Sequence, residues 1–407
     1  MASTKTIQIV KQTEPVLAKY KEDITSTFYK NLFEQHPELK DIFNMTHQAN
    51  GLQAKVLANA IFHYSKYIDQ LEMLSGAVEQ IAQKHASLAI SPEMYDIVGA
   101  GLLEAIKEVL GEAATPEIIE AWAEAYGDLA GIFIQREEQI YKDFEVKPGG
   151  WRGYKSYAVV KKEVESETIT SFYLKPCDGK GCPEFLPGQY ISVRVKGDAH
   201  SHTRNYSLSD SPGKDYLRIS IKKEPAVKDF AQGVVSNYFH KEVEEGSLIN
   251  LGIPSGEFTL KPGDKPVVLL SGGVGVTPLM SMLNALMEQG KRTVYFLHAA
   301  KNSGTHAFAS HVRQLSDQSG LLKSYVFYDE PLEKDLCGKD YDYQGLVSET
   351  VLRSILPSVE MDFYFCGPTP FMQNILSILR ELGVAESNIH YEFFGPSEEL
   401  NAVPSVE

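Results

Sequence analysis

Over roughly the first third of the chain, apolar residues recur every three or four positions, the spacing that gathers them on one face of an α-helix. This region is rich in Ala, Leu, Glu, Lys and Gln and poor in Pro and Gly, a composition that favours helices. The helical pattern stops at the Pro-Gly-Gly stretch of residues 148–150. We therefore predict an all-α domain over residues 1–147.

Beyond this point the pattern changes to short β-branched and aromatic runs separated by Pro and Gly turns. Such runs, for example 190–195 and 216–221, follow one another up to residue 262, which predicts an antiparallel β-barrel over residues 151–262. From residue 263 apolar strands alternate with helices, which predicts an α/β domain with a parallel sheet over residues 263–407. Its strands are expected at 267–270, 293–297, 325–328 and 363–366.

Composition and charge narrow the functional classes. The 407 residues carry a formal net charge of −15, which disfavours nucleic-acid binding because an acidic surface repels phosphate. The four cysteines have the spacing of neither a disulfide framework nor an iron–sulfur or zinc site. The sequence contains neither a stretch of about 18 apolar residues nor a recognisable secretory leader. We expect a cytoplasmic monomer with reduced thiols and no integral membrane contact.

Three polar residues interrupt the apolar faces of the predicted helices: His85, Gln53 and Glu137. Their neighbours on these faces are Leu71, Leu74, Val78, Ile81 and Leu88; Val56, Leu57, Ala60, Ile61 and Tyr64; and Tyr126, Ala130, Phe133 and Ile140. By pattern alone, such a His is more often a core histidine than a ligand, and a polar residue can turn to the edge of its face. An inward His together with an inward Gln also suits a haem pocket.

The order and spacing of further residues resemble a known family. These residues are Phe28, Tyr29, Pro37, Glu38, Leu39, Phe43, Asn44, Met45, Gln53, Leu57, Gln83, Lys84, His85 and Tyr95. Together they resemble the globin domain of flavohaemoglobins, over residues 1 to about 145. The resemblance implies that this domain binds haem b and that His85 is the proximal ligand of the haem iron.

The resemblance also implies roles on the distal side of the haem. Tyr29 would donate its hydroxyl proton to dioxygen at the iron. Gln53 and Leu57 would line the distal pocket and limit access, and Phe43 would pack on the porphyrin. Without the family, Tyr29 is equally consistent with an ordinary aromatic core residue.

Behind His85, the resemblance implies a hydrogen-bonded relay formed by Tyr95 and Glu137. A carboxyl group near the imidazole N–H gives the ligand more anionic character, which favours O–O chemistry over oxygen storage. Without the family, Tyr95 is as consistent with a capping or surface tyrosine.

A motif in the predicted barrel, Arg204-Asn205-Tyr206-Ser207, resembles the flavin signature of the ferredoxin-reductase superfamily. The resemblance implies that Arg204 grips the FAD pyrophosphate, that Tyr206 lies against the isoalloxazine and that Ser207 lies near its reactive nitrogen. Asn205 stands where many members have Gln. Further FAD contacts are expected from Tyr190 and from the backbone N–H groups of residues 233–237.

Two glycine turns, each following an apolar strand, predict the NAD(P)H site. The first turn opens a helix whose N-terminal N–H groups favour phosphate, and the second resembles the superfamily segment where nicotinamide meets flavin. The residues are Gly272, Gly273, Val274, Gly275, Val276 and Thr277 in the first turn, and Cys366, Gly367 and Pro368 in the second. Cys366 is expected to contact the nucleotide rather than to act as a nucleophile. The sequence does not distinguish NADH from NADPH.

The segment near the C-terminus returns toward the flavin in flavohaemoglobins. The resemblance therefore places Phe393, Phe394, Gly395 and Pro396 at the FAD, with Phe394 on or near the ring. It also implies that Lys84 and Glu392 face each other and tune both redox centres.

The resemblance spans nearly the whole chain and implies a nitric oxide dioxygenase. Nitric oxide and dioxygen would be converted to nitrate, with electrons passing from NAD(P)H to FAD and then to haem. The absence of iron–sulfur cysteines argues against reductases that pass electrons to a cluster. Three alternatives stay open: a flavin reductase without haem, a gas-sensing or oxygen-storage globin, and a reductase of lipid peroxides or quinones.

Overall fold

The computed structural model describes residues 2–43, 51–197, 200–226 and 232–394, and the chain divides into two compact units. The first unit comprises Met1–Val146, Trp151–Tyr154 and Ser192–Arg204. The second comprises Lys147–Gly150, Lys155–Ile191 and Asn205–Glu407. Among the described residues, no helix is both long enough and apolar enough to span a bilayer.

The first unit is helical. The helices described in it are α1 (Thr4–Gln35), α2 (Leu52–Tyr67), α3 (Ser75–Leu88), α4 (Pro92–Leu110) and α5 (Pro116–Glu145). Short 3₁₀ turns lie at Pro37–Asp41, Leu71–Leu74 and Gly111–Ala113. Side-chain oxygens of Ser3 and Thr115 cap the first turns of α1 and α5, and prolines start α4 and α5 where a missing N–H costs nothing.

The core of the first unit joins α1, α4 and α5. Phe28 and Leu32 of α1 pack in one buried cluster with Leu102 of α4 and Trp122 of α5. The Trp122 indole N–H donates to the Thr13 hydroxyl (3.1 Å), which satisfies a buried donor. The predicted helix through residues 71–88 is divided, because residues 71–74 form a 3₁₀ turn before α3 begins at Ser75 and Gly76, both weaker helix formers than Ala.

An antiparallel sheet comes next in the chain; its residues within Ser192–Arg204 belong to the first unit and the others to the second. Its strands are β1 (Lys155–Val164), β2 (Ile169–Pro176), β3 (Tyr190–Val195), β4 (His202–Ser207), β5 (Leu217–Lys222) and β6 (Leu248–Leu251), in the order β4-β3-β6-β1-β2-β5. Leu208, directly after β4, forms an antiparallel bridge with Ile219 of β5, so the two ends of this order meet as a barrel requires. A helix, α6 (Val234–Lys241), lies between β5 and β6 in the chain.

The rest of the second unit is a parallel sheet covered on both faces. It contains β7 (Val267–Gly272), β8 (Val294–Ala300), β9 (Leu322–Tyr328), β10 (Tyr343–Gln344), β11 (Asp362–Cys366) and β12 (Ile389–Glu392), in the order β10-β9-β8-β7-β11-β12. The helices are α7 (Val276–Gln289), α8 (Ala309–Gln318), α9 (Glu349–Ile355) and α10 (Thr369–Glu381).

Alternate residues of these parallel strands enter two different cores. Leu269 belongs to the cluster with α7 and α8, whereas Leu270 belongs to the cluster with α9 and α10. Burial on both faces explains why these strands are continuous apolar runs in the sequence. The three-part fold class is as predicted: helical, antiparallel barrel, then α/β.

Candidate functional site

His85 lies in the last turn of α3, where the helix ends in an unusual conformation. Ala89 has a φ of 57°, the left-handed region that non-glycine residues rarely adopt. The Ile90 N–H donates to the His85 carbonyl (3.1 Å), which closes the helix end directly over this residue. The backbone of His85 is therefore fixed by the helix cap.

The His85 imidazole forms a closed triangle with Tyr95 of α4 and Glu137 of α5. Its Nδ1 lies 2.8 Å from Tyr95 Oη and 2.8 Å from Glu137 Oε1, and Tyr95 donates to the same carboxyl oxygen (2.5 Å). Burial and the neighbouring Glu137 raise the pKa of Tyr95, so the phenol keeps its proton. The structure thus brings together the three residues for which the resemblance implied a hydrogen-bonded relay.

The triangle determines which nitrogen of His85 can bind a metal. Because the Tyr95 proton is directed to Glu137, the bond from His85 to Glu137 requires a proton on Nδ1. In the neutral ring this leaves Nε2 without a proton, the form in which imidazole coordinates iron. The His85 side chain keeps 31% of its surface exposed, whereas Glu137 keeps 3%. These residues fit a haem iron on the Nε2 side.

Two residues that the sequence analysis did not assign support the triangle. Tyr126 of α5 donates to the Tyr95 carbonyl (2.7 Å), and the Phe133 ring stacks on Tyr95 with centroids 6.3 Å apart. Both lie on the same apolar face of α5 as Glu137, so the helical spacing of apolar residues already indicated that they point inward. The bond to a backbone carbonyl on another helix carries no sequence signal.

The predicted distal residues occupy α1, α2 and the segment between them. Tyr29 is buried, and its ring meets Phe43 edge-on at 5.8 Å. Leu57 packs against the same cluster, and Gln53 lies partly buried in the first turn of α2.

The predicted FAD residues fall on β3, β4 and the segment after β12. Tyr190 lies on β3, and Arg204, Asn205, Tyr206 and Ser207 lie on β4. Phe393 packs partly buried against the parallel-sheet core, Phe394 is exposed, and Gly395 and Pro396 lie outside the described residues.

An orphaned polar atom marks the flavin motif. The Ser207 hydroxyl is buried and has no hydrogen-bond partner within the described part of the chain. A buried hydroxyl without a partner is costly, so this atom fits a ligand that supplies one. The Tyr206 ring lies 6.1 Å from Phe239 of α6, whose N-terminal residue follows Gly233. These residues fit FAD.

The two predicted NAD(P)H turns meet at the carboxyl ends of β7 and β11. A Cβ added at Gly275 would collide with the Cys366 carbonyl oxygen. One added at Gly367 would lie 2.6 Å from Phe371 and 3.2 Å from the Cα of Gly272. Only glycine lets the two backbones approach this closely. Val276 and Thr277 form the first turn of α7, whose N–H groups suit a phosphate.

Cys366 lies fully buried beside Glu392. The two residues are partners in the parallel register of β11 and β12, and burial together with Glu392 raises the pKa of the Cys366 thiol. A protonated, buried thiol is a poor nucleophile. Lys84 lies exposed on α3 in the first unit, so its predicted pairing with Glu392 of the second unit stays a prediction.

A buried polar cluster near the glycine turn was missed by the sequence analysis. His298 of β8 lies 2.8 Å from the Ser271 hydroxyl through Nδ1, and its ring lies 4.9 Å from that of His306. His306 Nδ1 in turn lies 2.9 Å from Tyr328 Oη. Burial lowers the pKa of both histidines, that of His306 to about 4. A His within the apolar run of β8 was the available signal.

The sequence matches three family descriptions in the order of the fold. Residues 26–133 match Globin, residues 156–260 match Oxidoreductase FAD-binding domain, and residues 269–376 match Oxidoreductase NAD-binding domain. Each match covers most of the corresponding candidate site, whereas Glu137 and the predicted FAD residues after Glu392 lie beyond the matched ranges.

The chain is similar along nearly its whole length to known proteins and to a solved structure. The Flavohemoprotein of Bacillus thuringiensis subsp. konkukian is 50% identical, covering 98% of this chain and 100% of that protein. A flavohemoglobin from Malassezia yamatoensis, solved with bound FAD and heme, superposes with a TM-score of 0.83 at 27% identity, covering 97% and 99% of the two chains. The FAD/NAD binding domain of nitric oxide dioxygenase from Vibrio cholerae is 38% identical with a TM-score of 0.55, covering 60% of this chain and 99% of that one.

Proposed function

Because the chain belongs to the flavohaemoprotein family, we propose that it is a nitric oxide dioxygenase that uses NAD(P)H to convert nitric oxide and dioxygen to nitrate. The observation that carries the proposal is the His85–Tyr95–Glu137 triangle in a chain that also contains the flavin motif and the paired glycine turns. An oxygen-storage protein would need neither the motif nor the turns.

Haem b and FAD supply the redox chemistry when bound: the flavin accepts hydride from the nucleotide and releases single electrons, and the iron binds dioxygen. His85 would hold the iron through Nε2. Glu137 and Tyr95 hold the proton on Nδ1 and orient the ring, which makes the imidazole a stronger electron donor. This donation favours cleavage and rearrangement of dioxygen over its reversible storage.

Tyr29 of α1 would orient substrate dioxygen by donating a hydrogen bond from its hydroxyl group. Phe43 packs edge-on against the Tyr29 ring, and contacts with Phe28 and Phe33 also hold this ring in place. Gln53 and Leu57, one turn apart on α2, would border the entrance to this side.

For the nucleotide, the glycine turn after β7 and the first turn of α7 would bind the pyrophosphate through backbone N–H groups. Cys366, Gly367 and Pro368 would bring nicotinamide against the flavin. Arg204, Tyr206 and Ser207 would orient the flavin, with Tyr190, Asn205 and the segment after Glu392 around it. Lys84 and Glu392 would tune the potentials of the two redox centres.

We also propose domain boundaries at 1–147, 151–262 and 263–407, and a cytoplasmic monomer without nucleic-acid partners. The division of the compact units near Val146 and the family matches at 156–260 and 269–376 support the boundaries. The net charge of −15 supports the absence of nucleic-acid partners. Analytical ultracentrifugation of the loaded protein tests the monomer.

The decisive experiment follows nitric oxide with an electrode in aerated buffer containing the haem- and FAD-loaded protein and NAD(P)H. We expect catalytic consumption with nitrate as the product. Loaded protein that binds dioxygen but consumes no nitric oxide would overturn the proposal in favour of storage or sensing. A fully flavin-loaded protein without a Soret band would instead favour a simple flavin reductase.

A further inference from the structure

The order in which the chain adds strands to the parallel sheet reverses between β7 and β11. From β7 the chain adds β8, β9 and β10 on one side, whereas β11 and β12 lie on the other. Nucleotides bind outside the carboxyl ends of strands at such a switch point, and here the two glycine turns meet. Because the nicotinamide half is expected on the Cys366 side, the adenosine half would extend over the ends of β8 and β9.

The ends of β8 and β9 are held side by side beyond the sheet. The Asp329 N–H donates to the Ala300 carbonyl (3.1 Å), and the Glu330 N–H donates to the Lys301 carbonyl (2.8 Å). Since neighbouring strands are about 5 Å apart, the end of β9 lies about 10 Å from the glycine turn that follows β7. The two acidic side chains are therefore within reach of the adenosine half of a dinucleotide on that turn.

Negative charge dominates at these two strand ends. Asp329 and Glu330 are both exposed. The neighbouring cation, Lys301, lies 3.8 Å from the Glu330 carboxyl group, so Asp329, Glu330 and Lys301 together carry a net charge of −1. The Asp335 carboxyl group lies in the same region, where it accepts from the backbone N–H groups of Ser303 (3.1 Å) and Leu332 (3.0 Å). The nearby cation on α8, Arg313, donates to the Lys339 carbonyl (3.4 Å).

We infer that Asp329 and Glu330 select NADH over NADPH, an inference that rests on the proposed use of a pyridine nucleotide. A carboxylate accepts hydrogen bonds from the adenosine ribose hydroxyls of NADH. The 2′-phosphate of NADPH would place a charge of nearly −2 beside two carboxylates, and this like-charge contact disfavours binding. Lys301 offsets one of the two carboxylates, and the net charge of −1 that remains at this pair of strand ends still repels the phosphate.

The test measures anaerobic reduction of the bound flavin by NADH and by NADPH in a stopped-flow instrument, so that neither haem turnover nor nitric oxide enters the result. The proteins are the wild type, the neutral Asp329→Asn/Glu330→Gln variant and the reversed Asp329→Ser/Glu330→Arg variant. Glu333→Gln, which removes an exposed carboxyl group three residues beyond Glu330, is the matched control.

We expect the wild type to prefer NADH by at least about tenfold in its second-order rate constant, the effect of one close like-charge contact. The neutral variant should lose most of this preference, the reversed variant should favour NADPH, and the control should match the wild type. High salt should reduce the wild-type preference by screening. Equal rates with both nucleotides in the wild type, or a preference unchanged in both double variants, would overturn the inference.

These outcomes are separable from failure of the proposed function. If the FAD-loaded wild type were reduced by neither nucleotide, the use of a pyridine nucleotide itself would be wrong. The reversed variant could fail to retain FAD. In that case the neutral variant, which preserves the shape of both side chains, would be compared with the wild type.

Discussion

The helical unit and the parallel-sheet part of the second unit build their candidate sites from different materials. Around His85 the site consists of side chains from three helices that satisfy one another, with Tyr95 and Glu137 sharing a single proton network. At Gly275 the site consists of backbone, since two turns approach so closely that a single methyl group would separate them. The side chains around His85 set the electronic properties of the imidazole, whereas the backbone at Gly275 sets the position of the nucleotide. Substitutions should therefore reduce activity for different reasons in the two places.

The largest effect is expected from Gly275→Ala. The added Cβ would force the glycine turn away from the Cys366 carbonyl and displace the nucleotide, and a displacement of about 1 Å can slow a reaction about 100-fold. Stopped-flow reduction of bound flavin by NADH would measure the loss. Gly320→Ala, at a glycine with no atom within 4 Å of the added Cβ, is the control and should retain the wild-type rate. An unchanged rate in Gly275→Ala would show that the turns tolerate separation.

A smaller effect is expected from Glu137→Leu. The change removes the acceptor for both Tyr95 and the His85 Nδ1, and loss of such a supporting group typically costs about 10- to 100-fold in activity. Nitric oxide consumption and the haem reduction potential would be measured, with flavin reduction unchanged. Glu137→Gln, which keeps one acceptor oxygen, should lie between the wild type and Glu137→Leu.

The neighbouring residue provides the control for this experiment. Glu138 is a surface carboxylate of the same helix, paired with Arg152 at 2.8 Å. Glu138→Gln should leave nitric oxide consumption and the reduction potential at wild-type values. If Glu137→Leu matched this control, the triangle would have only a structural role.

Tyr29→Phe should have a smaller effect than Glu137→Leu. Loss of one hydrogen bond to substrate dioxygen is worth about 1 kcal/mol, or roughly a fivefold to tenfold faster dissociation of dioxygen. Flash photolysis would measure this rate, while NADH-driven flavin reduction should stay intact. Equal losses in both activities would mean that the Tyr29 ring, with its contacts to Phe28 and Phe43, is simply structural.

The smallest effect concerns pH and the buried histidines of the second unit. His298 and His306 have pKa values held below 6.5 by burial, so the unfolded chain takes up their protons first as pH falls. Stability is therefore lost as pH falls below about 6.5 towards 4. Between pH 7 and pH 6 each histidine should lower the free energy of unfolding by about 0.7 kcal/mol. Urea titrations monitored by flavin release would show it, and His306→Gln should reduce the slope.

The sequence predicted the architecture more completely than the contacts. The three-part fold class and the positions of the parallel strands agree with the structure, because apolar periodicity and Pro-Gly turns are local signals. The division between the 3₁₀ turn at Leu71–Leu74 and α3 was missed, since the same apolar spacing satisfies both. Helix α6 was not predicted, since residues 233–237 were expected only as a segment whose backbone N–H groups contact the FAD.

The candidate site shows the same limit. Helical spacing and the family resemblance together identified His85, Tyr95 and Glu137. That His85 and Tyr95 would share one carboxyl oxygen of Glu137 could not be predicted, because this contact depends on how α4 and α5 cross α3. Glycines were expected near a phosphate, but the contact of Gly275 with the Cys366 carbonyl required the strand order. His298 and His306 were missed because their contacts with Ser271 and Tyr328 join residues that are distant in the sequence and follow no motif.

The meeting of the two glycine turns has a consequence for how the molecule assembles. Gly275 and Cys366 are separated by 91 positions (366 − 275), and they meet only after β7 and β11 have paired. His85 and Tyr95 are ten residues apart, and Glu137 joins them from 52 residues away. Closing longer loops costs more chain entropy, and such contacts form more slowly. On refolding, haem-binding competence should therefore return before nucleotide-binding competence, leaving a transient state that can hold haem but cannot yet be reduced by NADH.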